Sequence, residues 1–135
     1  MSRFVLLHHE CPPSFGKPSH WDFMLEQAGA LLTWSMLELP AAWQGGWETS
    51  GQAPSIPATR LPDHRLAYLD YEGPVSGDRG EVHRHDAGEY LLIEQTDGLC
   101  RVELCGELAR GPAILQRMAD DQWRLAVGAA AGLSG

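Results

Sequence analysis

Short apolar runs separated by turn residues recur along this chain of 135 residues, and they constrain the fold more than any other feature. Runs of this length suit β-strands, whereas helices need longer amphipathic periods. Many short strands joined by turns predict a mainly β fold, a compact antiparallel β-barrel with short helical turns and one long loop. The candidate strands are Phe4–Leu7, Trp21–Leu25, Leu31–Leu37, Leu66–Tyr71, Tyr90–Ile93, Leu99–Leu104, Ala113–Leu115 and Trp123–Val127.

Turn residues separate neighbouring runs where hairpins need them. The stretch Pro40–Pro62 is rich in Pro, Gly, Ser and Thr and has no clear period, which predicts a long surface loop over one barrel end. Ala113–Met118 follows Gly111-Pro112, so a strand and a short helical turn both remain open there. The predicted turns are Gln27–Gly29, Asp86–Gly88, Thr96–Gly98 and Ala119–Asp121.

Length and composition predict one domain over residues 4–127 and a disordered Ala/Gly-rich tail over 128–135. No stretch is long and apolar enough to span a bilayer, and the first residues lack the apolar region of a signal peptide. The sequence therefore predicts a cytoplasmic protein without a membrane partner. Cys11, Cys100 and Cys105 are odd in number and form no Cys-x-x-Cys pair, which predicts reduced thiols, with Cys100 and Cys105 acting as small buried hydrophobes.

The charge of the chain is strongly acidic, with 10 basic and 18 acidic side chains and a formal net charge of −8. Affinity for nucleic acid depends largely on Lys and Arg neutralising phosphates, so this charge disfavours binding along an extended duplex. A local site in which a metal ion and a few arginines handle one phosphate group remains compatible with it.

The segment His20–Glu26 carries the most informative polar pattern. On a strand, His20 and Asp22 would share one face, while Trp21, Phe23 and Leu25 would face the core on the other side. An imidazole and a carboxylate so placed can hold a divalent cation. The alternative is that the two side chains only pair with each other on a solvated face.

The other histidines have several interpretations. His8 and His9 are neighbours at the end of the first run, so at most one of them can face the same pocket as His20 and Asp22. His83 and His85 would share a strand face and could form a second metal pair, although two exposed surface histidines are the simpler interpretation.

These residues, taken in order, resemble the 3′-phosphoesterase domain of bacterial DNA ligase D, which also occurs as a stand-alone chain. That family has a histidine ending one strand, then His-x-Asp-x-Arg, then Asp-His-x-Leu-x-Tyr-x-Asp-aromatic-Glu-Gly. Here the corresponding residues are His9, the segment His20–Met24, and the segment Asp63–Gly73. The resemblance extends from about Phe4 to about Val127, and it also takes in Gly29–Trp34, Gly80–Val82, Asp86–Tyr90 and Trp123–Leu125.

The resemblance implies a β-barrel enzyme that uses Mn²⁺, or alternatively Zn²⁺ or Co²⁺, to remove a 3′-terminal phosphate or ribonucleotide from a DNA or RNA-DNA primer end in DNA repair by non-homologous end joining. It implies His9, His20 and Asp22 as metal ligands. It also implies His64 and Tyr68 as catalytic residues that contact the phosphate or assist proton transfer. If Leu66–Tyr71 is a strand, His64 and Tyr68 lie four residues apart and face the same side.

Met24 is the largest departure from the family pattern, because it stands where that family usually has a phosphate-binding arginine. A thioether cannot replace a guanidinium, so we expect other cations to bind substrate. Arg60, Arg65 and Arg84 are the candidates, with Lys17 as a further one. Because these 135 residues match the phosphoesterase segment alone, a role at DNA 3′ ends or primer-templates is expected to need DNA ligase or end-joining proteins in trans.

Two other classes of function stay open. One is a binding module without catalysis that recognises a phosphate terminus or a protein, which Met24 and the acidic surface favour. The other is a metal-dependent phosphoesterase acting on a small phosphorylated metabolite, which the net charge of −8 permits more easily than a DNA substrate.

Overall fold

The computed structural model describes residues 2–44, 55–77 and 79–128. In these ranges the chain forms nine β-strands and three 3₁₀ helices. The strands are β1 (Ser2–Glu10), β2 (His20–Gln27), β3 (Ala30–Met36), β4 (Ile56–His64), β5 (Gly73–Pro74), β6 (Glu81–Thr96), β7 (Leu99–Gly106), β8 (Arg110–Ala119) and β9 (Gln122–Val127). The 3₁₀ helices span Pro13–Phe15, Ala41–Trp43 and Leu66–Leu69.

Eight of the strands close into an antiparallel barrel. Their order is β1-β2-β3-β4-β9-β8-β7-β6, and pairing between β6 and β1 closes the ring. β5 pairs with the first residues of β6 and extends the sheet beyond the ring. The predicted mainly β fold, an antiparallel barrel with short helical turns, is confirmed.

The barrel interior is filled by alternate residues of all eight strands, as expected when successive side chains point to opposite faces. On β2 these residues are Phe23 and Leu25, with Trp21 packed partly against them. These residues therefore face the barrel interior, as predicted for the apolar side of His20–Glu26. Its buried members are Phe4, Leu6, Phe23, Leu25, Trp34, Met36, Leu39, Trp43, Ile56, Ala58, Tyr90, Cys100, Val102, Leu104, Ala109, Ala113, Leu115, Trp123, Leu125 and Val127.

A second apolar cluster lies on the opposite face of β1 and β2. We call it the outer cluster, and it consists of Val5, Leu7, Met24, Leu31, Leu69 and Val82. Leu69 comes from the 3₁₀ helix Leu66–Leu69, so this helix covers the outside of the barrel wall. Because both faces of β1 and β2 are buried in mid-strand, the polar residues near their adjoining ends lie beside an apolar floor.

Three of the four predicted turns are confirmed: Gln27–Gly29, Thr96–Gly98 and Ala119–Asp121 join consecutive antiparallel strands. Ala28 and Gly29 have φ of 53° and 84°. Positive φ at both central residues is typical of the type I′ turn that matches strand twist in two-residue hairpins.

The predicted turn at Asp86–Gly88 is wrong, because β6 runs through it without interruption. Gly88 is needed for close strand approach, since a Cβ there would lie 2.5 Å from the carbonyl oxygen of Cys105. The Asp86 carboxylate accepts hydrogen bonds from the backbone N–H groups of residues 107–109. Residues that suggest a turn therefore serve packing and loop capping instead.

The predicted loop Pro40–Pro62 is wrong from residue 56 onward, since Ile56–His64 is β4. Prolines at 57 and 62 hide this strand in the sequence. They are tolerated because β4 pairs with β9 only over Ile56–Thr59 and with β3 only over Thr59–His64, so each proline has one side without a strand partner. Residues 45–54 of the predicted loop lie outside the described residues.

The candidate strand Leu66–Tyr71 is also wrong, because Leu66–Leu69 forms a 3₁₀ helix. Its apolar residues do not share one buried face: Leu69 is buried, whereas Leu66 and Tyr71 are exposed. Spacing of three along a 3₁₀ helix aligns Leu66 with Leu69, yet only the second reaches the outer cluster.

The remaining predictions have mixed outcomes. The alternative left open at Ala113–Met118 is a strand, β8. Cys100 is buried, and burial raises the pKa of its thiol to about 11. Cys105 is exposed, so its predicted burial is wrong. Residues 129–135 of the predicted tail lie outside the described residues. No helix in the described ranges has the length and apolar character to cross a membrane.

Candidate functional site

The antiparallel register of β1 and β2 brings three polar side chains together on the outer face. His9 is paired with His20, and Leu7 with Asp22. His9 Nδ1 lies 3.9 Å from Asp22 Oδ2, and His20 Nε2 lies 3.4 Å from Asp22 Oδ1. The two imidazole centroids are 4.8 Å apart. His8 points to the other face and stacks on Trp21 at 4.6 Å, so only one of the adjacent histidines joins the group.

Each of the two histidines uses one ring nitrogen for a backbone carbonyl. His9 Nε2 lies 2.7 Å from the carbonyl oxygen of Arg79, and His20 Nδ1 lies 3.0 Å from that of Pro18. When these nitrogens donate, the other nitrogen of each ring is left as an acceptor facing Asp22. Metal-binding histidines are commonly oriented in this way by a carbonyl behind the ring.

Asp22 is buried, and when His20 Nε2 carries no proton, the Asp22 Oδ1 has no hydrogen-bond partner among the described residues. An unsatisfied buried carboxylate oxygen is costly, and a bound cation would satisfy it. Burial by itself lowers the pKa of His20, but the Asp22 carboxylate and the Pro18 carbonyl outweigh it, and the net pKa is raised. The donors and the orphaned oxygen fit a divalent cation.

A cleft of about 70 Å³ opens beside these residues, and we call it the outer pocket. It brings together residues from β1, β2, the end of β4, the 3₁₀ helix after β4, the segment before β6 and the start of β6. Its apolar floor belongs to the outer cluster. The lining residues are Leu7, His9, Asp22, Met24, His64, Tyr68, Val75, Arg79 and Val82.

His64 and Tyr68 meet in the outer pocket for a different reason from the predicted one. His64 is the last residue of β4, and Tyr68 lies in the 3₁₀ helix that follows. Their rings make an edge-to-face contact with centroids 5.8 Å apart. His64 Nδ1 lies 2.9 Å from the carbonyl oxygen of Pro62, so its Nε2 is free to exchange a proton when Nδ1 donates.

The segment that carries Tyr68 is tied to the barrel on both sides. Asp70 accepts a hydrogen bond of 2.8 Å from Arg3 on β1, and this bond lowers the pKa of the Asp70 carboxyl. On β6, the Arg84 N–H donates to Glu72 and its guanidinium donates to the Asp70 carbonyl. Arg84 therefore fixes this segment against β6.

The predicted substrate-binding arginines lie elsewhere than the outer pocket. Arg60 stacks on Trp34, with 5.1 Å to the ring centroid, and binds Asp63. Arg65 lines a neighbouring cleft of about 310 Å³ that shares Tyr68 and Val75 with the outer pocket. The arginine that does line the outer pocket is Arg79.

Arg79 and Cys11 lie at the site but were not predicted from the sequence. Cys11 lies two residues after His9, and the possible ligand atoms of His9, Cys11 and His20 all lie within 4.8 Å of one another. Burial raises the pKa of the Cys11 thiol. The signal was the spacing of two between His9 and Cys11, which on an extended chain keeps both on one face.

The remaining histidines do not form a metal pair. A bulge in the β1–β6 ladder leaves His85 unpaired, so it does not share a regular face with His83. His83 Nε2 lies 3.3 Å from a Glu81 carboxylate oxygen, and His85 Nε2 lies 2.7 Å from the Trp43 carbonyl oxygen.

Comparison with known proteins agrees with the pattern of these residues. The search of curated proteins gives no match. The family model of the DNA ligase D 3′-phosphoesterase domain matches residues 9–123, which include all of the residues around the outer pocket except Leu7. This match spans most of the chain, which therefore belongs to the DNA ligase D 3′-phosphoesterase domain family.

Proposed function

We propose that this protein is a divalent-metal-dependent 3′-phosphoesterase that trims phosphate or ribonucleotide from DNA or primer 3′ ends during repair in the cytoplasm. The observation that carries the proposal is the outer pocket, where His9 and Asp22 from two strands meet His64 and Tyr68 from a third segment. The family match supplies the reaction class. The phosphate end is the substrate, and a ligase or end-joining protein acting in trans is the expected partner.

The metal would be held by His9, His20 and Asp22, with Mn²⁺ as the first candidate ion. When bound, such an ion polarises a phosphoryl oxygen and lowers the pKa of a bound water. In each imidazole, the nitrogen that faces Asp22 would offer its lone pair to the ion, because the other ring nitrogen is hydrogen-bonded to a backbone carbonyl.

The other residues of the outer pocket have roles that their own chemistry supports. His64, through Nε2, would give a proton to the leaving oxygen. The Tyr68 hydroxyl would donate to a non-bridging phosphoryl oxygen. Arg79 would supply the positive charge that Met24 lacks, since it lines the same pocket and Met24 is part of the apolar floor.

The test is release of inorganic phosphate from a primer-template that carries a 3′-phosphate, in the presence of Mn²⁺. We expect release by the wild-type protein, none by His20→Ala, and normal release by His83→Ala. His83 is a matched control because it is an exposed histidine whose partners are carboxylates outside the outer pocket. If wild type and His20→Ala are equally inactive while both are folded, the phosphoesterase assignment is wrong.

A second candidate is phosphoesterase action on a small phosphorylated metabolite. The net charge of −8 and the small volume of the outer pocket favour it. A substrate panel separates the two: a DNA-end enzyme should prefer the primer-template over a mononucleotide 3′-phosphate, and a metabolite enzyme should show the reverse. Binding of the 3′-phosphate end without any release would instead indicate a binding module.

A further inference from the structure

Cys11 is held next to the two histidines by the loop that joins β1 to β2. The loop turns back through the 3₁₀ helix Pro13–Phe15 and through Gly16, whose φ of 79° is in the left-handed region. The Cys11 N–H then donates to Ser19 Oγ at 3.0 Å, and Ser19 directly precedes His20. This bond joins the two ends of the loop and fixes Cys11 beside the strand end that carries His20.

The geometry points to Cys11 as a fourth ligand, beside His9, His20 and Asp22, in a site that prefers Zn²⁺ or Co²⁺ over Mn²⁺. The inference rests on the metal site of the proposed function and adds its metal preference. The possible ligand atoms of Cys11, His9 and His20 lie within 4.8 Å of one another. Asp22 Oδ2 lies 3.9 Å from His9 Nδ1 and Oδ1 lies 3.4 Å from His20 Nε2, so the carboxylate adjoins the same two imidazoles.

The set of donors explains the preference. One thiolate sulfur, two imidazole nitrogens and one carboxylate oxygen match the tetrahedral mixed sites of Zn²⁺, whereas Mn²⁺ favours oxygen donors in an octahedral shell. Cys11 binds as thiolate and releases its thiol proton to water. Four protein donors fill a tetrahedral shell, while catalytic zinc sites keep one position open. Because of the thiolate, the site would hold Zn²⁺ more tightly than Mn²⁺, and a phosphoryl oxygen would have to enter as a fifth donor.

The first experiment is titration of the full chain with Co²⁺, which reports thiolate ligation by a sulfur-to-cobalt charge-transfer band in the near ultraviolet. Wild type should show this band together with the visible bands of tetrahedral Co²⁺. Cys11→Ser should lose the charge-transfer band and keep weaker visible bands. Cys105→Ser should match wild type, because Cys105 is exposed on β7 and Cys100 is buried in the barrel.

The outcomes separate this inference from the proposed function. Co²⁺ binding that is lost in His20→Ala, but without a charge-transfer band in wild type, would overturn the role of Cys11 and leave the His9, His20 and Asp22 site intact. Failure of wild type to bind Co²⁺ or Mn²⁺ at all would overturn both.

Two further measurements keep the test decisive if Cys11→Ser folds poorly. Cys11→Ala offers a second variant, and alkylation gives an assay on the wild-type chain: Zn²⁺ should protect Cys11 from iodoacetamide in wild type and not in His20→Ala, while Cys105 reacts in both. Competition with a chromophoric chelator should show Zn²⁺ affinity reduced at least about tenfold in the Cys11 variants, because loss of an outer-sphere partner alone has an effect of that size. Mn²⁺ affinity should stay near wild type, and an equal loss for both ions would contradict the preference.

Discussion

At the residue scale, Met24 stands where the family pattern has an arginine, and our proposal gives the role of that arginine to Arg79, which lines the same pocket. Met24 is buried in the outer cluster, where it packs with Leu7 and Leu69. A guanidinium in that place would have to be desolvated among apolar side chains. Arg79 is exposed and lies on a loop, where Ser76 accepts hydrogen bonds from its Nε and Nη2. Its remaining N–H donors are available to a phosphate oxygen.

Arg79→Ala should lower kcat/KM on a 3′-phosphate end by about tenfold to a hundredfold, less than for a buried oxyanion donor because Arg79 is exposed. Arg79→Lys should recover part of the loss, since it keeps the charge without the bidentate geometry. Arg60→Ala is the matched control, because Arg60 is engaged with Trp34 and Asp63 outside the outer pocket. Steady-state phosphate release checks all three. Equal rates for Arg79→Ala and wild type would remove Arg79 from the mechanism.

The raised pKa of His20 gives stability and metal binding opposite pH dependences. In the metal-free chain the pKa of His20 lies above its unfolded value of 6.5, so its stabilising contribution is complete below that pH. The contribution is lost as pH rises through the folded pKa. Metal binding needs the neutral imidazole, so affinity should rise over the same interval.

Thermal unfolding in a chelator, from about pH 5 to about pH 8, should show the stability advantage of wild type over His20→Asn shrinking as pH rises. With Zn²⁺ or Mn²⁺ present, the advantage should grow with pH instead. An advantage of wild type that is independent of pH in the chelator would contradict the assigned protonation of His20.

At the element scale, the 3₁₀ helix Leu66–Leu69 positions Tyr68, the proposed catalytic tyrosine, by packing a single leucine against the barrel wall. Leu69 is 5% exposed and contributes to the outer cluster, whereas Leu66 is 37% exposed. The Arg3 to Asp70 bond holds the end of the same helix. The helix is short, so its place depends on these contacts more than on its own hydrogen bonds.

Leu69→Ala should therefore destabilise the protein by about 2–3 kcal/mol through loss of a buried leucine. It should also lower kcat, because Tyr68 on the same helix loses its fixed position over the outer pocket. Leu66→Ala removes the same atoms from an exposed position of the same helix and should change both quantities little. Urea denaturation and phosphate release measure the two effects. Similar losses in both variants would mean that the outer cluster does not anchor the helix.

The predicted positions of side chains agree with the structure in regular strands. They differ from it where the chain contains prolines or forms loops. The alternation in His20–Glu26 was enough to assign His20 and Asp22 to one face, and the antiparallel pairing of β1 with β2 then brings His9 opposite His20. β4 was missed because its prolines signal a loop, although each lies where the strand has one free side. Arg79 was missed because closure of its loop by Ser76 has no periodic signature. Cys11 was missed although its spacing of two from His9 places both on one face of an extended chain.

At the scale of the whole molecule, the net charge of −8 limits how this protein can approach DNA. A protein that neutralises many phosphates along a duplex loses much of its affinity as salt rises. Here the positive charge in the outer pocket comes from Arg79, with Arg65 in the adjoining cleft. We therefore expect only the metal and one or two arginines to hold the terminal phosphate.

Binding of a 3′-phosphate end should consequently depend weakly on salt. One or two contacted phosphates predict a slope of about −0.7 to −1.8 in a plot of log affinity against log salt, at about −0.7 to −0.9 per phosphate. Arg79→Ala should reduce the slope by about one, and Arg60→Ala should leave it unchanged, since Arg60 is engaged with Trp34 and Asp63. These slopes can be measured by fluorescence anisotropy with labelled primer-template. Each variant is combined with His64→Ala and measured with Mn²⁺, so that substrate binds without turnover. A slope several times steeper would mean that the acidic surface conceals an extended DNA-binding track, and the protein would then act along the duplex and not only at its end.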